Sequence, residues 1–285
     1  MDCEIPALKK MGMWITVLHP LDKNIVGSKW VFHIKCKADG SIDKYKAWLI
    51  AQSFTQVYWI DYFVTFSPVT KLSSFWLILA VTVLLDWDIE SFDFNGTYPN
   101  GELQVNKEIY MFSLPGYNSN GSMMKCLHKS LYGLKQAGQK WYNALWHTLA
   151  NLGFSVSQAD PGLFFSCIGK DTLILAVDVN HCIITGSLSE LIAQYKTKIN
   201  ACYTLTDLGP VHWLLGIKIM HDHTMHPISL SQTSYLVQFS PILHWLAQNP
   251  TAILWFPGSF ILSNTHPVTW RSHMHAEDTI LGGHW

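Results

Sequence analysis

Two stretches carry side chains that can do chemistry together. Trp87–Phe94 (WDIESFDF) interleaves Asp88, Glu90 and Asp93 with apolar residues, and Asp86 precedes it. Leu173–Gly186 (LILAVDVNHCIITG) places Asp178, Val179, Asn180 and His181 between two apolar runs. Short β-branched runs around a turn-forming Asn predict a hairpin with buried arms. Taken alone, that hairpin reads as core structure with a solvated turn. Paired with Asp93 at a strand end it gains a second reading. Carboxylates on adjacent strand ends can hold two Mg²⁺ ions about 4 Å apart for phosphoryl transfer, chemistry that needs hard oxygen ligands. A third cluster, His221, Asp222, His223 and His226 in HDHTMH, has spacing that can suit zinc. Because it follows a strand and precedes Ile228-Ser229-Leu230, it reads first as a hairpin loop.

The elements that must position these groups follow from pattern. Residues 4–18 read as a short amphipathic helix and then a turn or strand. Gly27–Cys36 and Lys44–Gln56 alternate around Asp39-Gly40, a strong hairpin-turn signal. This hairpin carries Lys35, Lys37, Lys44 and Lys46, either a solvated face or a phosphate-contacting finger. Ser67-Pro68 opens a helix over Val69–Leu85. Lys129–Gly153 predicts a helix, with Trp141, Leu145 and Leu149 at four-residue steps and Gly153 as terminator. Ser187–Cys202 predicts another, capped by Ser187 or Ser189 with Glu190 in its first turn. Asp207-Leu208-Gly209-Pro210 reads as a turn leading into a strand, WLLGIKI. Strands and helices alternate irregularly, which predicts an α+β fold. From Pro241 onward periodicity is lost.

Composition narrows the function classes. The 285 residues are 49% hydrophobic and carry a net charge of −1, so no strong field draws the chain to nucleic acid. No apolar run approaches the roughly 18 residues of a membrane span. The N-terminus carries acids and no apolar core, so no signal peptide is expected, and an intracellular place, cytoplasm or nucleus, follows. Six scattered cysteines (Cys3, Cys36, Cys126, Cys167, Cys182, Cys202) predict reduced thiols. One imbalance has no folding rationale: a single arginine, Arg271, stands against 18 lysines, 13 tryptophans and 14 histidines.

Several long stretches, in order, resemble the reverse transcriptase of copia-type LTR retrotransposons. They are GSKWVFHIKCKADGSIDKYKA, IDYFVTFSPVTKLSS, DFNGTYPNGEL, KSLYGLKQAGQKWY, LGFSVSQADPGLF and TDLGPVHWLLGIKI. The resemblance covers about residues 1–240. It implies one right-hand polymerase domain over 1–285: fingers at about 1–85, a ferredoxin-like palm at 86–225, and an incomplete thumb or connection at 226–285. It implies Mg²⁺ as cofactor and RNA or DNA template–primer and dNTP as partners. Asp93 matches the first metal-binding Asp. Tyr98 matches the aromatic that screens out a ribose 2′-OH. Gln136 matches the Gln that cradles the nucleotide, and Lys46 lies in the finger strand near the triphosphate. Leu215-Gly216 resembles the primer grip.

The departures fall on the chemistry. The family hairpin carries Val-Asp-Asp; here Val179 is kept, and Asn180 and His181 replace both Asp residues. An Asn amide is a weak Mg²⁺ ligand, and imidazole suits softer metals. Asp178 is a candidate substitute, expected to point elsewhere. Trp48, Trp76 and Gln139 stand where the family has Arg, and Ser53 where it has Gly. Arg to Trp, Arg to Gln, Gly to Ser and Asp to Asn each follow from one C-to-T change on one DNA strand, which also explains the scarcity of Arg. Asp to His needs a different change. The resemblance therefore implies a degenerate, inactive polymerase domain. The rival readings are a nucleic-acid-binding remnant without catalysis and a pseudogene product with no function.

Overall fold

The computed structural model describes residues 4–36, 41–103, 108–112, 123–221, 228–233 and 236. Contacts divide the chain into two compact units, 1–214 with 219–230, and 215–218 with 231–285. The first holds an α+β fold whose two larger sheets have five and six strands among the described residues.

After helix α1 (Glu4–Lys10), strands β1 (Trp14–Leu18), β2 (Ile25–Cys36), β3 (Ile42–Gln52), β5 (Ile109–Met111) and β6 (Met123–Leu127) build the first sheet, ordered β1-β6-β5-β2-β3. The expected hairpin is β2–β3, antiparallel from Gly27↔Gln52 to Cys36↔Ile42. Its turn, Asp39-Gly40, lies outside the described residues. Leu49, Ala51, Val26, Ile109 and Met111 bury a common core with Ile5 and Leu8 of α1.

The second sheet has the order β11-β4-β10-β9-β8-β7. Its strands are β4 (Asp88–Phe94), β7 (Ser155–Val156), β8 (Leu163–Ile168), β9 (Asp171–Asp178), β10 (His181–Gly186) and β11 (Leu205–Pro210). Alternation along these strands sorts two faces. Phe92, Phe94, Leu173, Leu175, Val177, Cys182 and Ile184 pack with Trp141, Leu145 and Leu149 of α3 (Ala137–Asn151) and Ile192 and Ile199 of α4 (Ser189–Cys202). The opposite face sends Ile89, Ala176 and Ile183 against Phe75, Ile78 and Leu79 of α2 (Leu72–Leu85).

Several expectations shift. The helix expected over Lys129–Gly153 begins only at Ala137, because Gly133 takes φ +87° and a Cβ there would lie 2.2 Å from Ala51 O. That left-handed glycine lets the chain turn against β3 before the helix starts. Helix α2 starts at Leu72 rather than Val69, since Thr70 is drawn into the sheet by its N–H to Val177 O, 3.0 Å. Neither Ser187 nor Ser189 caps α4: Leu188 is the N-cap, and the two hydroxyls donate instead to Asp171 Oδ1 and Asp88 Oδ2. The expected turn at 207–210 is the edge strand β11, bulged between Asp207 and Gly209 against β4. The expected strand WLLGIKI is broken by left-handed φ at Leu215 and Gly216, +49° and +79°. The cysteines among the described residues, Cys36, Cys126, Cys167, Cys182 and Cys202, are free thiols.

Candidate active site

Strand pairing builds the candidate site. β10 lies antiparallel between β4 and β9, with His181 directly opposite Asp93 on one side and Asp178 on the other. Asp93 in turn faces Thr206 of β11. Directly opposed residues share a sheet face. Thr206, Asp93, His181 and Asp178 therefore form one polar row at the sheet end, on the face that α2 covers further along. Asp93 and the hairpin tip thus lie side by side, as the sequence predicts. Asp178, expected to point elsewhere, stands on the same face one strand beyond His181.

Within the row His181 Nδ1 lies 3.0 Å from Asp93 Oδ1. A carboxylate accepts only, so the imidazole donates its Nδ1–H. The His181 side chain is 24% exposed and Asp93 37%. The His181 Nε2 atom is buried without a hydrogen-bond partner. Below the row, on the opposite face, Cys182 is fully buried. Burial first, and then the charges of Asp93 and Asp178, push its thiol well above its ordinary value.

The tip is held from three sides. Phe94 N–H donates to Asn180 O at 2.8 Å, and Trp141 Nε1–H donates to Val179 O at 2.8 Å. Thr70 Oγ1 bonds Gly162 O and Val177 O and accepts from Val177 N–H, each at 2.9 Å. Val179 itself takes φ +56°. Positive φ at the first of two loop residues is the type II′ arrangement, which favours glycine there.

The other candidate residues are dispersed. Tyr98 opens a short 3₁₀ turn (Tyr98–Asn100) after β4. Its ring stands edge-on to Tyr132 at 5.1 Å, and burial raises its hydroxyl pKa. With Pro68, Trp141, Tyr142, Val177 and Val179 it lines a cavity of about 100 Å³. Gln136 is 4% exposed: its Oε1 accepts from Gln56 Nε2 at 3.0 Å and its Nε2 donates to Asp61 O at 2.9 Å. Both ends of the amide are thus tied inside the protein, beside a cleft of about 210 Å³ that Gln139 and Lys140 also line. Lys46 and Trp48, both half-buried, share one face of β3, with Lys46 Nζ 5.4 Å from the Trp48 ring centroid and the His33 ring 5.9 Å from it. Leu215 and Gly216 make a turn in the second unit.

Sequence reasoning missed three groups. The helical spacing of Trp141 marks it as core only, although its indole N–H holds the tip. Asp160 is 2% exposed and accepts from Lys71 N–H (2.8 Å), Ser74 Oγ (2.5 Å) and Gly162 N–H (3.0 Å), fixing the start of α2. Burial raises its pKa, but these bonds and the Lys71 charge outweigh burial and lower it. The Asp-Pro-Gly run was the available signal. Lys196 of α4 is 8% exposed and pairs with Glu90 (2.5 Å) and Asp207. Nothing in the helical pattern of α4 marks a buried ammonium.

The row does not suit a Mg²⁺ pair. Magnesium requires near-octahedral oxygen ligands, and here one carboxylate oxygen of Asp93 is taken by an imidazole. Among the described residues no three His, Cys, Asp or Glu converge to hold a metal ion. In the zinc-spaced HDHTMH cluster, residues 222–227 lie outside the described residues.

The reverse transcriptase (RNA-dependent DNA polymerase) family matches residues 11–249. The chain belongs to that family, in its copia-type branch. It is 34% identical over 239 residues, 83% of its length, to the "Retrovirus-related Pol polyprotein from transposon TNT 1-94" of Nicotiana tabacum, of which it covers 18%. It is 33% identical over 233 residues, 81% of its length, to that from transposon RE1 of Arabidopsis thaliana, of which it covers 16%. The chain therefore spans under a fifth of these relatives. Among solved structures it is similar to apo telomerase from Candida tropicalis, at 10% identity and a TM-score of 0.41, over 78% of this chain and 58% of that one.

Proposed function

We propose that this chain is the polymerase segment of a copia-type Pol polyprotein, RNA-directed DNA polymerase by descent, whose site for nucleotidyl transfer no longer works. The observation that supports this is the Asp93–His181 pair at 3.0 Å on the seam between β4 and β10. On the resemblance carried by the sequence motifs, Asp93, Asn180 and His181 stand where the family holds its metal ions. One carboxylate remains where the family has three. Several kcal/mol of transition-state stabilisation depend on two correctly held cations, and so do many powers of ten in rate.

On this reading β2–β3 belongs to the fingers (1–85), the six-stranded sheet to the palm (86–225), and 226–285 to an incomplete thumb or connection. Lys46 and Tyr98 would face dNTP, with Gln136 of the same set already tied to Gln56 and Asp61 and Trp48 a degenerate member, and Leu215-Gly216 would touch the primer. Template–primer and dNTP are weakly held, inside the cell in cytoplasm or nucleus. No described helix is long and apolar enough to cross a membrane.

The decisive experiment is primer extension by purified protein on an RNA template in Mg²⁺ and in Mn²⁺. No extension is expected in either. Extension that Asp93→Ala abolishes would refute the proposal and show that Asp178 or another group rescues the site.

One observation favours a second reading, binding without catalysis. Register places Lys29, His33 and Lys35 of β2 and Lys44, Lys46 and Trp48 of β3 on one ribbon face. A cationic face with an aromatic ring suits a single-stranded nucleic acid. Salt-dependent binding lost on Lys35→Glu with Lys44→Glu would support it.

A further inference from the structure

We infer that His181 has taken the cation's place, so that the Asp93 row folds without a divalent metal and gains nothing from one. This rests on the reading of Asp93 as a former metal position, and it concerns stability rather than catalysis.

The argument is one of charge placement. Opposed residues on neighbouring strands have Cα atoms about 4.5–5.5 Å apart, and like charges there are destabilising. With Asp at 181, as the resemblance implies for the family, three carboxylates would stand abreast on β4, β10 and β9. Such a row needs a cation. In this chain the middle position is His181, which donates Nδ1–H to Asp93 Oδ1 at 3.0 Å and separates Asp93 from Asp178. The last member, Thr206, gives its hydroxyl to Asn95 Oδ1 at 3.0 Å and places no charge against Asp93. The row is therefore one hydrogen-bonded pair, one carboxylate set apart from it by the imidazole, and a neutral hydroxyl. The imidazole keeps Asp93 and Asp178 out of direct opposition, and Asp93 has one oxygen already occupied. A ligand raises stability only by binding the native state, so Mg²⁺ should leave this protein unchanged.

The test is thermal unfolding in EDTA and in millimolar Mg²⁺, read by circular dichroism, with three proteins. Wild type should melt at the same temperature in both. His181→Asp should melt lower than wild type in EDTA by about 4 °C or more and recover in Mg²⁺; folding only when Mg²⁺ is added counts as the same result. Asp93→Asn should melt lower than wild type by an equal amount in both conditions, because it weakens a bond that involves no metal. The inference is overturned if Mg²⁺ raises the wild-type melting temperature, or if His181→Asp melts identically in the two buffers. Should His181→Asp stay unfolded in both, Asp93→Asn decides: a deficit seen only in Mg²⁺ means that Asp93 holds metal in wild type. None of these readouts involves polymerisation, so the inactive-polymerase reading stands or falls separately on primer extension.

Discussion

Val179 offers a sharp test of the hairpin geometry. It is the first of two residues linking β9 to β10 and sits at φ +56°, where an L-residue is disfavoured by about 1–2 kcal/mol. Two hydrogen bonds hold it there: Trp141 Nε1–H to its own carbonyl and Phe94 N–H to the next. Replacing Val179 with Ala removes two half-buried methyl groups and leaves the strain, for a loss of about 1 kcal/mol. Replacing it with Gly removes the same methyls and also the strain, but adds freedom to the unfolded chain worth about 0.4–1 kcal/mol. The two effects leave Val179→Gly more stable than Val179→Ala by roughly 1 kcal/mol, the difference between the mid-range values. At an ordinary strand position the order is the reverse. The assay is urea unfolding at equilibrium for wild type and both variants, with slopes compared to confirm a shared unfolded state. If Ala proves as stable as Gly or more so, the turn is not held in the left-handed conformation and the row built on it is misplaced.

Two further outcomes follow from the site and its support. Lys196→Met leaves Glu90 half-sheltered without its ammonium and should lose about 2–3 kcal/mol, below the usual figure for a broken buried pair because Asp207 can rehydrate. Its pH signature is set by two shifts. The bonds from Lys196 and Gly209 N–H outweigh the burial of Asp207 and lower its carboxyl below 3.8. The two acids outweigh burial at Lys196 and raise its ammonium above 10.5. The Asp207 contribution is complete above 3.8 and disappears as pH falls through the lowered value. The Lys196 contribution is complete below 10.5 and disappears as pH rises through the raised one. Wild type should therefore lose stability at both extremes more steeply than Lys196→Met, as denaturant melts across pH would show. In the active-site repair, Asn180→Asp with His181→Asp should not restore normal polymerisation while Trp48 fills the place of a finger Arg. Adding Trp48→Arg should lower the KM for dNTP or raise kcat, since a guanidinium gives phosphate paired charged donors and an indole one neutral donor. Equal steady-state extension by the double and triple variants would clear Trp48 of blame.

The sequence by itself determined the strands that carry Asp93 and His181, the β2–β3 ribbon and the buried stripe of α3. Each is a local pattern: alternation at period two, apolar residues four apart, or a turn-forming pair. The ordered motif resemblance also proposes, position by position, that Asn180 and His181 stand where the family carries Asp. The boundaries that moved, at Gly133, at Thr70 and around Leu215-Gly216, moved because a backbone conformation or a distant carbonyl overrode local propensity. What only the tertiary structure decided is who stands beside whom. That Asp178 shares a face with Asp93, that an imidazole bonds that carboxylate, that Gln136 is tied to Gln56 and that Lys196 sits between two acids all depend on strand register and helix docking. The Asp93–His181 and Glu90–Lys196 contacts arise from burying both faces of one sheet at once, a constraint that joins residues 88 and 106 positions apart and leaves no local trace in either partner.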